Sequence, residues 1–174
     1  RLGRAKRLKC LYLWPRDEQY YRRNDWAGKK RDADGAWVLD GPAQNAMAHD
    51  LHNMFYVLGR ERHTSARPAA VEAELYRANP IENCDTAAMR AVTEDGVEIL
   101  LYVTHVPRRE AGPVFAYEFE RGVVRCESRT SGLRAEWPGA APVDYGVPDA
   151  APMNKLWDMI RVVRSGERPV CGLD

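Results

Sequence analysis

The sequence contains no long apolar run, and no charge of one sign dominates it. No segment approaches the roughly 18 consecutive apolar residues that a membrane-spanning helix needs. The basic start, R-L-G-R-A-K-R-L-K, is not followed by the apolar block of a signal peptide. With 174 residues, 45% of them hydrophobic, and a net charge of +1, the chain is typical of one globular domain with a single core. We expect a cytoplasmic protein without membrane contact, and the first residue, Arg rather than Met, suggests a fragment.

Cysteine is sparse and scattered. No C-x-x-C occurs, and no cysteine pair has a spacing that matches a histidine pair, so a structural zinc site is not expected. Histidines three residues apart beside Asp50 lack a third ligand nearby, so no metal site is predicted there either. Free thiols in a reducing compartment are the simplest account of the four cysteines, Cys10, Cys84, Cys126 and Cys171.

Several catalytic signatures are missing. No G-x-G-x-x-G follows a predicted strand, so the chain carries no dinucleotide-binding fold of its own. There is no G-x-S-x-G, no Walker loop and no recognisable Cys–His or Ser–His pair. Cofactor binding and nucleophilic catalysis of these familiar kinds are therefore not predicted for this chain.

Charge is uneven along the chain. Residues 1–31 hold eleven Lys or Arg but only three acidic side chains, with Tyr20, Tyr21 and Trp26 interleaved, a composition that can bind nucleic acid. The start, K-R-L-K-C-L-Y-L-W, nevertheless alternates like a strand with one solvated basic face, and the remaining chain is slightly acidic. Nucleic-acid binding is therefore the least favoured of the functions considered.

The segment from Pro42 to Leu58 has the pattern of an amphipathic helix. One apolar stripe must be buried, and it consists of Met47, Leu51, Met54, Phe55 and Leu58. An opposing stripe of Asn45, His49, His52 and Tyr56 either faces solvent or lines a cleft. Pro42 suits the first turn, Asp40 is a candidate N-cap, and Gly59 is a candidate stop.

Period-two alternation marks the strands. Leu8 to Trp14 predicts a first strand, after which Arg16 to Ala36 predicts a long functional loop. A meander of about five antiparallel strands follows the helix. Its predicted strands are Ala69 to Arg77, Thr86 to Thr93, Val97 to His105, Val114 to Glu120 and Val123 to Glu127, with a hairpin at Glu94-Asp95-Gly96.

The end of the chain predicts an irregular segment and a last helix. Gly139 to Pro152 is rich in Pro, Gly and Ala, which favours irregular structure. A helix is predicted from Met153 to Arg164, with Gly166 as its stop. The fold class is therefore α+β, an open and mostly antiparallel sheet with helices packed on one face.

Several stretches in order resemble the second domain of the Gfo/Idh/MocA oxidoreductases. W-P-R-D-E-Q-Y-Y-R-R-N-D-W-A-G-K resembles the segment that opens that domain, and A-H-D-L-H-N-M-F-Y-V-L-G resembles the helix that bears the family's catalytic histidine. A-E-L-Y-R-A-N-P-I-E-N-C-D-T-A, D-G-V-E-I-L-L-Y-V-T-H and F-A-Y-E-F-E-R-G-V-V resemble the strands that follow. The resemblance covers almost all of residues 1–174, which we interpret as one substrate-binding and oligomerisation domain.

The resemblance implies half of a two-domain enzyme. An upstream Rossmann domain, absent from this chain, would bind most of the NAD or NADP and supply a lysine from a Glu-Lys-Pro motif. The expected activity is hydride transfer on a sugar, polyol or related hydroxy compound, and the expected homo-oligomer forms through the open sheet. These 174 residues alone are expected to be inactive.

The resemblance also assigns residues. The catalytic position of the helix falls on His49, the usual Asp four residues earlier is Asn45, and the usual Asp three residues later is His52. Imidazole suits a base that takes the substrate's hydroxyl proton. Asn45 can orient His49 by a hydrogen bond but cannot neutralise a charge, so His49 is expected to have weaker electrostatic help than usual.

The loop supplies candidate substrate contacts. Arg23, Tyr21 and Trp26 offer a cation, a hydroxyl and a flat apolar surface, a set suited to a sugar-like or carboxylated substrate; His52 joins them as a contact from the helix. An alternative stays open, in which Trp26 fills the core and Arg23 forms a surface ion pair. A non-catalytic interaction module of the same fold is the second function considered.

Overall fold

The computed structural model of the protein describes residues 2–147, 151 and 153–169. One open, mostly antiparallel sheet forms its frame, as predicted, but it has eight strands rather than the six expected. The strands are β1 Ala5–Leu13, β2 Pro68–Tyr76, β3 Thr86–Thr93, β4 Glu98–Thr104, β5 Ala111–Phe119, β6 Val123–Cys126, β7 Arg134–Glu136 and β8 Val143–Asp144. The helices are α1 Glu18–Tyr21, a π-helical turn Pro42–Ala46, α2 Ala48–Val57 and α3 Asn154–Ser165.

The sheet is not a simple meander. Its order is β2-β3-β4-β1-β5-β6-β7-β8, so β1 lies between β4 and β5, parallel to β4 and antiparallel to β5. The prediction that β4 and β5 are neighbours was therefore wrong. The physical reason lies in burial: Leu8, Cys10 and Tyr12 of β1 are at most 1% exposed, and a central strand is the one that can bury its apolar side chains under a covering helix.

The predicted hairpin is confirmed. Thr93 donates its N–H to the carbonyl of Val97, and Gly96 donates to the carbonyl of Thr93, so the turn closes between β3 and β4. Gly96 has φ +78°, a conformation that glycine adopts without a Cβ penalty.

Helix α2 covers the centre of one sheet face. Met47 and Met54 are fully buried against Leu8, Cys10 and Tyr12 in a single apolar cluster. Leu51, Phe55 and Leu58 pack against the same cluster, so the predicted apolar stripe is confirmed. On the opposing stripe, Asn45, His49 and His52 are exposed.

The predicted continuous helix is interrupted at Met47. Met47 donates its N–H to the carbonyl of Pro42, five residues back, at 2.9 Å, and its backbone leaves the helical region with φ −117° and ψ 15°. A π turn holds one residue more than an α turn, so it shifts the side chains on either side relative to each other. Asn45 and His49 therefore lie on opposite sides of a break.

Gly59 follows the end of α2, as predicted, but for a steric reason. It is not in the left-handed conformation; instead, a Cβ built on it would lie 1.8 Å from the carbonyl oxygen of Thr64. The close approach of the next loop, rather than a positive φ, requires glycine here.

The segment predicted to be irregular contains a short strand. Val143–Asp144 pairs with β7 through Ala135 and Arg134, so the prediction for residues 139–152 was wrong at β8; residues 148–150 and 152 lie outside the described part. Two residues are enough to extend a sheet edge but carry too little alternation to be recognised in a sequence.

Helix α3 confirms the predicted last helix, and Gly166 ends it with φ +70°. Its apolar side is exposed: Met153, Leu156 and Trp157 keep 50%, 49% and 60% of their surface accessible. No residue of α3 is buried among those described.

The sheet face opposite α2 carries ion pairs, which confirms that this face is mixed in character. Arg90 and Arg7 both contact Glu98, the former at 2.6 Å, and Lys9 contacts Glu118 at 2.5 Å.

Three cysteines, Cys10, Cys84 and Cys126, are buried free thiols, whereas Cys171 lies outside the described residues. Among the described residues, none of the helices has the length and hydrophobicity to cross a membrane.

Candidate functional site

Asp40 connects the long loop to the helix. Only 4% exposed, its carboxylate accepts hydrogen bonds from the Gly28 N–H at 2.7 Å and from Asn45 Nδ2 at 2.5 Å. Arg23 Nη2 lies 3.9 Å from the same carboxylate. The prediction that Asp40 caps the helix was wrong, because Gly41 occupies the N-cap position and no side chain caps this end.

A hollow opens beside Asp40 and joins some of the predicted residues. Its volume is about 490 Å³, and it is lined by Trp26, Asp32, Val38, Asp40, Gln44 and Asn45. We call it the loop hollow. Trp26 and Asn45 both line this hollow. Arg23 does not line it, but its guanidinium lies near Asp40, which does. Two amides, two carboxylates and an indole face are groups that can contact a polyhydroxylated ligand.

Arg23 is held by aromatic rings. Its guanidinium carbon lies 3.6 Å from the ring centroid of Tyr20 and 5.3 Å from that of Trp26. Cation–π contacts of this kind restrict a long side chain, so Arg23 presents its charge in a fixed direction. Trp26 is half-buried at the rim of the loop hollow.

Tyr21 lies apart from the loop hollow. It lines a different cavity of about 570 Å³, together with Asn79 and Ile81. Its hydroxyl is enclosed and finds no hydrogen-bond partner within the described residues. Burial, followed by the charge of Asp85, raises the pKa of Tyr21.

The two histidines lie on the exposed side of α2. Neither ring is among the residues lining the loop hollow. The His52 ring is 6.3 Å from that of Tyr56, and the charge of His49 acts on its neighbour Asp50. Between residues 2 and 147, no hydrogen bond joins Asn45 to His49; the Asn45 amide donates to Asp40 instead.

A second hollow lies on the other flank of α2, and the sequence did not reveal it. It occupies about 500 Å³ between α2, strands β5 and β6, and the loop that follows β6. Asp50, Asn53 and Val57 form its helical wall, while Phe115 and Tyr117 form part of its floor. We call it the sheet hollow. His49 lies one helical turn before Asn53 on α2, but its side chain is not among those that line the hollow.

Asp50 is the unusual member of the sheet hollow. It is only 6% exposed, yet its carboxylate accepts no hydrogen bond from any residue that the structure describes. Burial raises the pKa of Asp50, and the charges of Arg129 and His49 oppose that rise. Carboxyls with a raised pKa in clefts cluster at functional sites.

Arg129 faces Asp50 from the loop after β6. Its Nε donates to the Tyr12 hydroxyl at 3.4 Å, and Tyr12 in turn donates to Glu110 at 3.2 Å. The Arg129 guanidinium also lies 5.2 Å from the Tyr12 ring centroid. Burial raises the pKa of Tyr12, against the effect of Arg129. This chain of contacts positions a cation at the hollow.

No metal centre is evident in the described part of the chain. Nowhere in it do three His, Cys, Asp or Glu side chains converge as metal ligands. A dinucleotide has no cradle here either, since no glycine-rich turn joins a strand to a helix in the described residues. The chemistry of the site therefore consists of imidazoles, carboxylates, amides and arginines.

Comparisons with known proteins identify the fold. No family model matches the sequence, and no curated protein matches it at a significant level. Solved structures do match. UDP-N-acetylglucosamine 3-dehydrogenase GnnA from Acidithiobacillus ferrooxidans is 15% identical with a TM-score of 0.71, over 97% of this chain and 48% of GnnA.

Two further structures agree. The WlbA dehydrogenase from Bordetella pertussis, solved with NADH and UDP-GlcNAcA, is 19% identical with a TM-score of 0.70 over 97% of this chain and 47% of WlbA. An oxidoreductase from Agrobacterium radiobacter, solved with NAD⁺, L-tartaric acid and magnesium, is 14% identical with a TM-score of 0.70, over 97% and 49% of the two chains. The chain thus spans about half the length of the structures that it matches, and the predicted resemblance to Gfo/Idh/MocA-type oxidoreductases is confirmed at the level of the fold.

Proposed function

We propose that this chain is the substrate-binding half of an NAD(P)-dependent oxidoreductase that acts on a sugar, polyol or related hydroxy compound by hydride transfer. The match to about half the length of several oxidoreductases supports this proposal. One observation carries it: the exposed His49 directly precedes Asp50, whose side chain lines a ligand-sized hollow and receives no hydrogen bond from the described residues.

In this proposal His49 is the general base. It takes the proton of the substrate hydroxyl while a hydride leaves the same carbon. NAD or NADP, bound mainly by an upstream domain, would accept that hydride when bound. Asp50, the next residue, would supply the negative charge that Asn45 cannot, since the charge of His49 lowers the pKa of Asp50 against the larger effect of burial. Asn45 instead keeps a positioning role through Asp40.

The loop hollow would hold part of the substrate. We keep Trp26 and Arg23 as proposed substrate contacts. Trp26 lines the loop hollow together with Asn45 and Asp40, and Arg23 lies beside the Asp40 carboxylate. Tyr21 and His52 also stay predicted contacts, although they lie on separate surfaces. The neighbours' sugar-nucleotide ligand, UDP-GlcNAcA in WlbA, is consistent with a hydroxylated substrate for this chain.

A pH–rate profile of the full-length protein tests the assignment. With His49→Gln we expect kcat to fall by about 10²- to 10⁴-fold and the acidic limb of the profile to disappear. His63→Gln is the control of the same residue type, since His63 lies in the loop after α2 and lines neither hollow. Equal turnover for the parent and His49→Gln would remove His49 from the mechanism.

The exposed apolar side of α3 favours a second function, that of a non-catalytic interaction module. Leu156 and Trp157 offer a protein partner a surface that solvent does not favour. Full-length protein that binds neither NAD nor NADP, but retains a partner that Trp157→Lys releases, would support this function over the enzymatic one.

A further inference from the structure

Helix α3 has an apolar side that the rest of the described chain leaves uncovered. Spacings of three and four residues place one row of side chains on this side, which we call the α3 stripe: Met153, Leu156, Trp157, Ile160 and Val163. We propose that the α3 stripe docks on the upstream, cofactor-binding half of the same polypeptide. This inference rests on the proposed function, which includes that half, and names a surface that holds the two halves together.

The α3 stripe is exposed along its whole length. Leu156 and Trp157 keep 49% and 60% of their surface accessible near the start of the helix, and Val163 keeps 79% near its end. None of the described residues of α3 is buried, and none belongs to the apolar cluster between α2 and the sheet. The domain's own core therefore does not cover the stripe.

The helix needs a packing partner to be stable. It has twelve residues, Asn154–Ser165, and isolated helices of about 12–15 residues or fewer are marginal in water. Ile160, Val162 and Val163 are β-branched, which lowers helix propensity further. The ion pair of Arg161 with Asp158, at 2.8 Å, adds little on an exposed surface. Most of the stability of α3 must therefore come from burial of its stripe.

The comparisons with solved structures favour the other half of the polypeptide as this partner. GnnA, WlbA and the Agrobacterium radiobacter oxidoreductase each match 97% of this chain, which leaves about five of its 174 residues unmatched. Most of the twelve residues of α3 therefore belong to the shared fold. This chain covers only 47–49% of those structures. A helix that belongs to the shared fold but packs on nothing in this half is expected to pack on the other half.

Covalent connection also favours this partner over a second copy of the chain. Two surfaces on one polypeptide meet at an effective concentration in the millimolar range. A separate copy offers the same surface only at its own, lower concentration. Docking within one polypeptide therefore covers the stripe before association between copies can.

Hydrogen exchange in the full-length protein tests whether the stripe is covered. We expect the amides of residues 158–165 to exchange at least about 100-fold more slowly than in an unstructured peptide, because exchange then requires undocking. Trp157→Lys should remove at least tenfold of this protection. Trp37→Lys is the matched control, since Trp37 is equally exposed, at 62%, but lies in the loop before α2. Unprotected amides in the parent, or protection that survives Trp157→Lys, would overturn the inference.

Cross-linking of the parent protein identifies the partner and needs no variant that could fail to fold. An amine-reactive diazirine reagent attached to Lys155, on α3, is photoactivated in a mixture of ¹⁴N- and ¹⁵N-labelled full-length chains. We expect cross-links from Lys155 to residues upstream of this sequence, with both peptides carrying the same isotope. Mixed-isotope cross-links would identify a second copy as the partner and overturn the inference, as would cross-links confined to residues 1–174 of the same chain.

These measurements distinguish the inference from the proposed function. An α3 that is protected and cross-linked to the upstream half, in a protein that oxidises none of the hydroxy compounds offered to it, supports the inference and contradicts the enzymatic proposal. Oxidation that depends on His49, in a protein whose α3 amides exchange freely, supports the enzymatic proposal and contradicts the inference.

Discussion

The side chain of Asn45 donates to Asp40 at 2.5 Å and not to His49, its neighbour one helical turn away. The two predicted catalytic residues are thereby uncoupled, because the π-helical turn ends between them at Met47. The consequence is that a carboxylate at position 45 would not face the imidazole. It would face the buried carboxylate of Asp40 instead.

Asn45→Asp is therefore expected to destabilise the protein. The substitution replaces a hydrogen bond with two facing carboxylates, at a cost of about 1–3 kcal/mol at neutral pH. Protonation of one carboxyl relieves the repulsion, so the deficit relative to the parent should shrink between about pH 7.5 and about pH 5. Urea denaturation at the two pH values measures it. Asn45→Ala is the control, and an equal loss for both variants at both pH values would contradict the expectation.

His105 should make the stability of the protein depend on pH. It is 3% exposed, and its Nδ1 lies 3.0 Å from the carbonyl of Trp14. Burial lowers the pKa of His105, against the Trp14 hydrogen bond; Arg16 lowers it further, while Asp40 and Asp85 raise it. The unfolded chain then binds the proton more tightly than the folded one, so stability falls as pH decreases below about 6.5.

Two glutamine variants measure this dependence. We expect His105→Gln to flatten the curve of unfolding free energy against pH between about pH 7.5 and about pH 5. His52→Gln, at an exposed position, should leave the curve as in the parent. A parent curve without any decline in this window, or a decline that His105→Gln preserves, would rule out this role of His105.

Asp50→Asn is expected to stabilise the protein at neutral pH. Burial raises the pKa of Asp50, so its folded carboxyl favours the neutral form. Its contribution to stability is fully present below the unfolded pKa of about 3.9 and is lost as pH rises through the folded pKa. Replacing the carboxylate by an amide should therefore gain about 1–2 kcal/mol near pH 7.

The same denaturation measurement has a matched control for Asp50. Asp95 is exposed and forms an ion pair with Arg60, which lowers its pKa. Asp95→Asn should therefore give no comparable gain in stability. If Asp50→Asn is instead less stable than the parent at pH 7, the charge of Arg129 outweighs the cost of burying the carboxylate, which contradicts this prediction.

Local patterns in the sequence were sufficient to predict most of the individual helices and strands. The apolar stripe through Met47 and Met54 predicted which side of the helix is buried. The turn at Gly96 predicted the β3–β4 hairpin because its hydrogen bonds join residues close in sequence. Element type is determined by such short-range periodicity.

The order of the strands and the sheet hollow depend on long-range contacts. The position of β1 beside β4 is set by register between residues about 90 apart, such as Leu8 and Ile99. From the sequence, Asp50 was considered only as a weak metal ligand beside His49 and His52. That Asp50 faces Arg129 depends on the fold, which brings the loop after β6 to α2. The local sequence offered only one indication of the sheet hollow, an acidic residue next to the buried stripe of a helix. Such a residue is too common to identify a site.

The last prediction concerns the homo-oligomer that the sequence resemblance leads us to expect through the open sheet face. Leu11 and Tyr102 are paired directly across β1 and β4 and are 40% and 44% exposed on this face. Tyr102→Lys should reduce the molar mass measured by light scattering, because it places a charge in the centre of the contact. Val71→Lys is the control, as Val71 is similarly exposed, at 54%, but pairs with the buried Ala91 on the other face. A mass unchanged by Tyr102→Lys, or lowered equally by both variants, would show that subunits do not meet through this face.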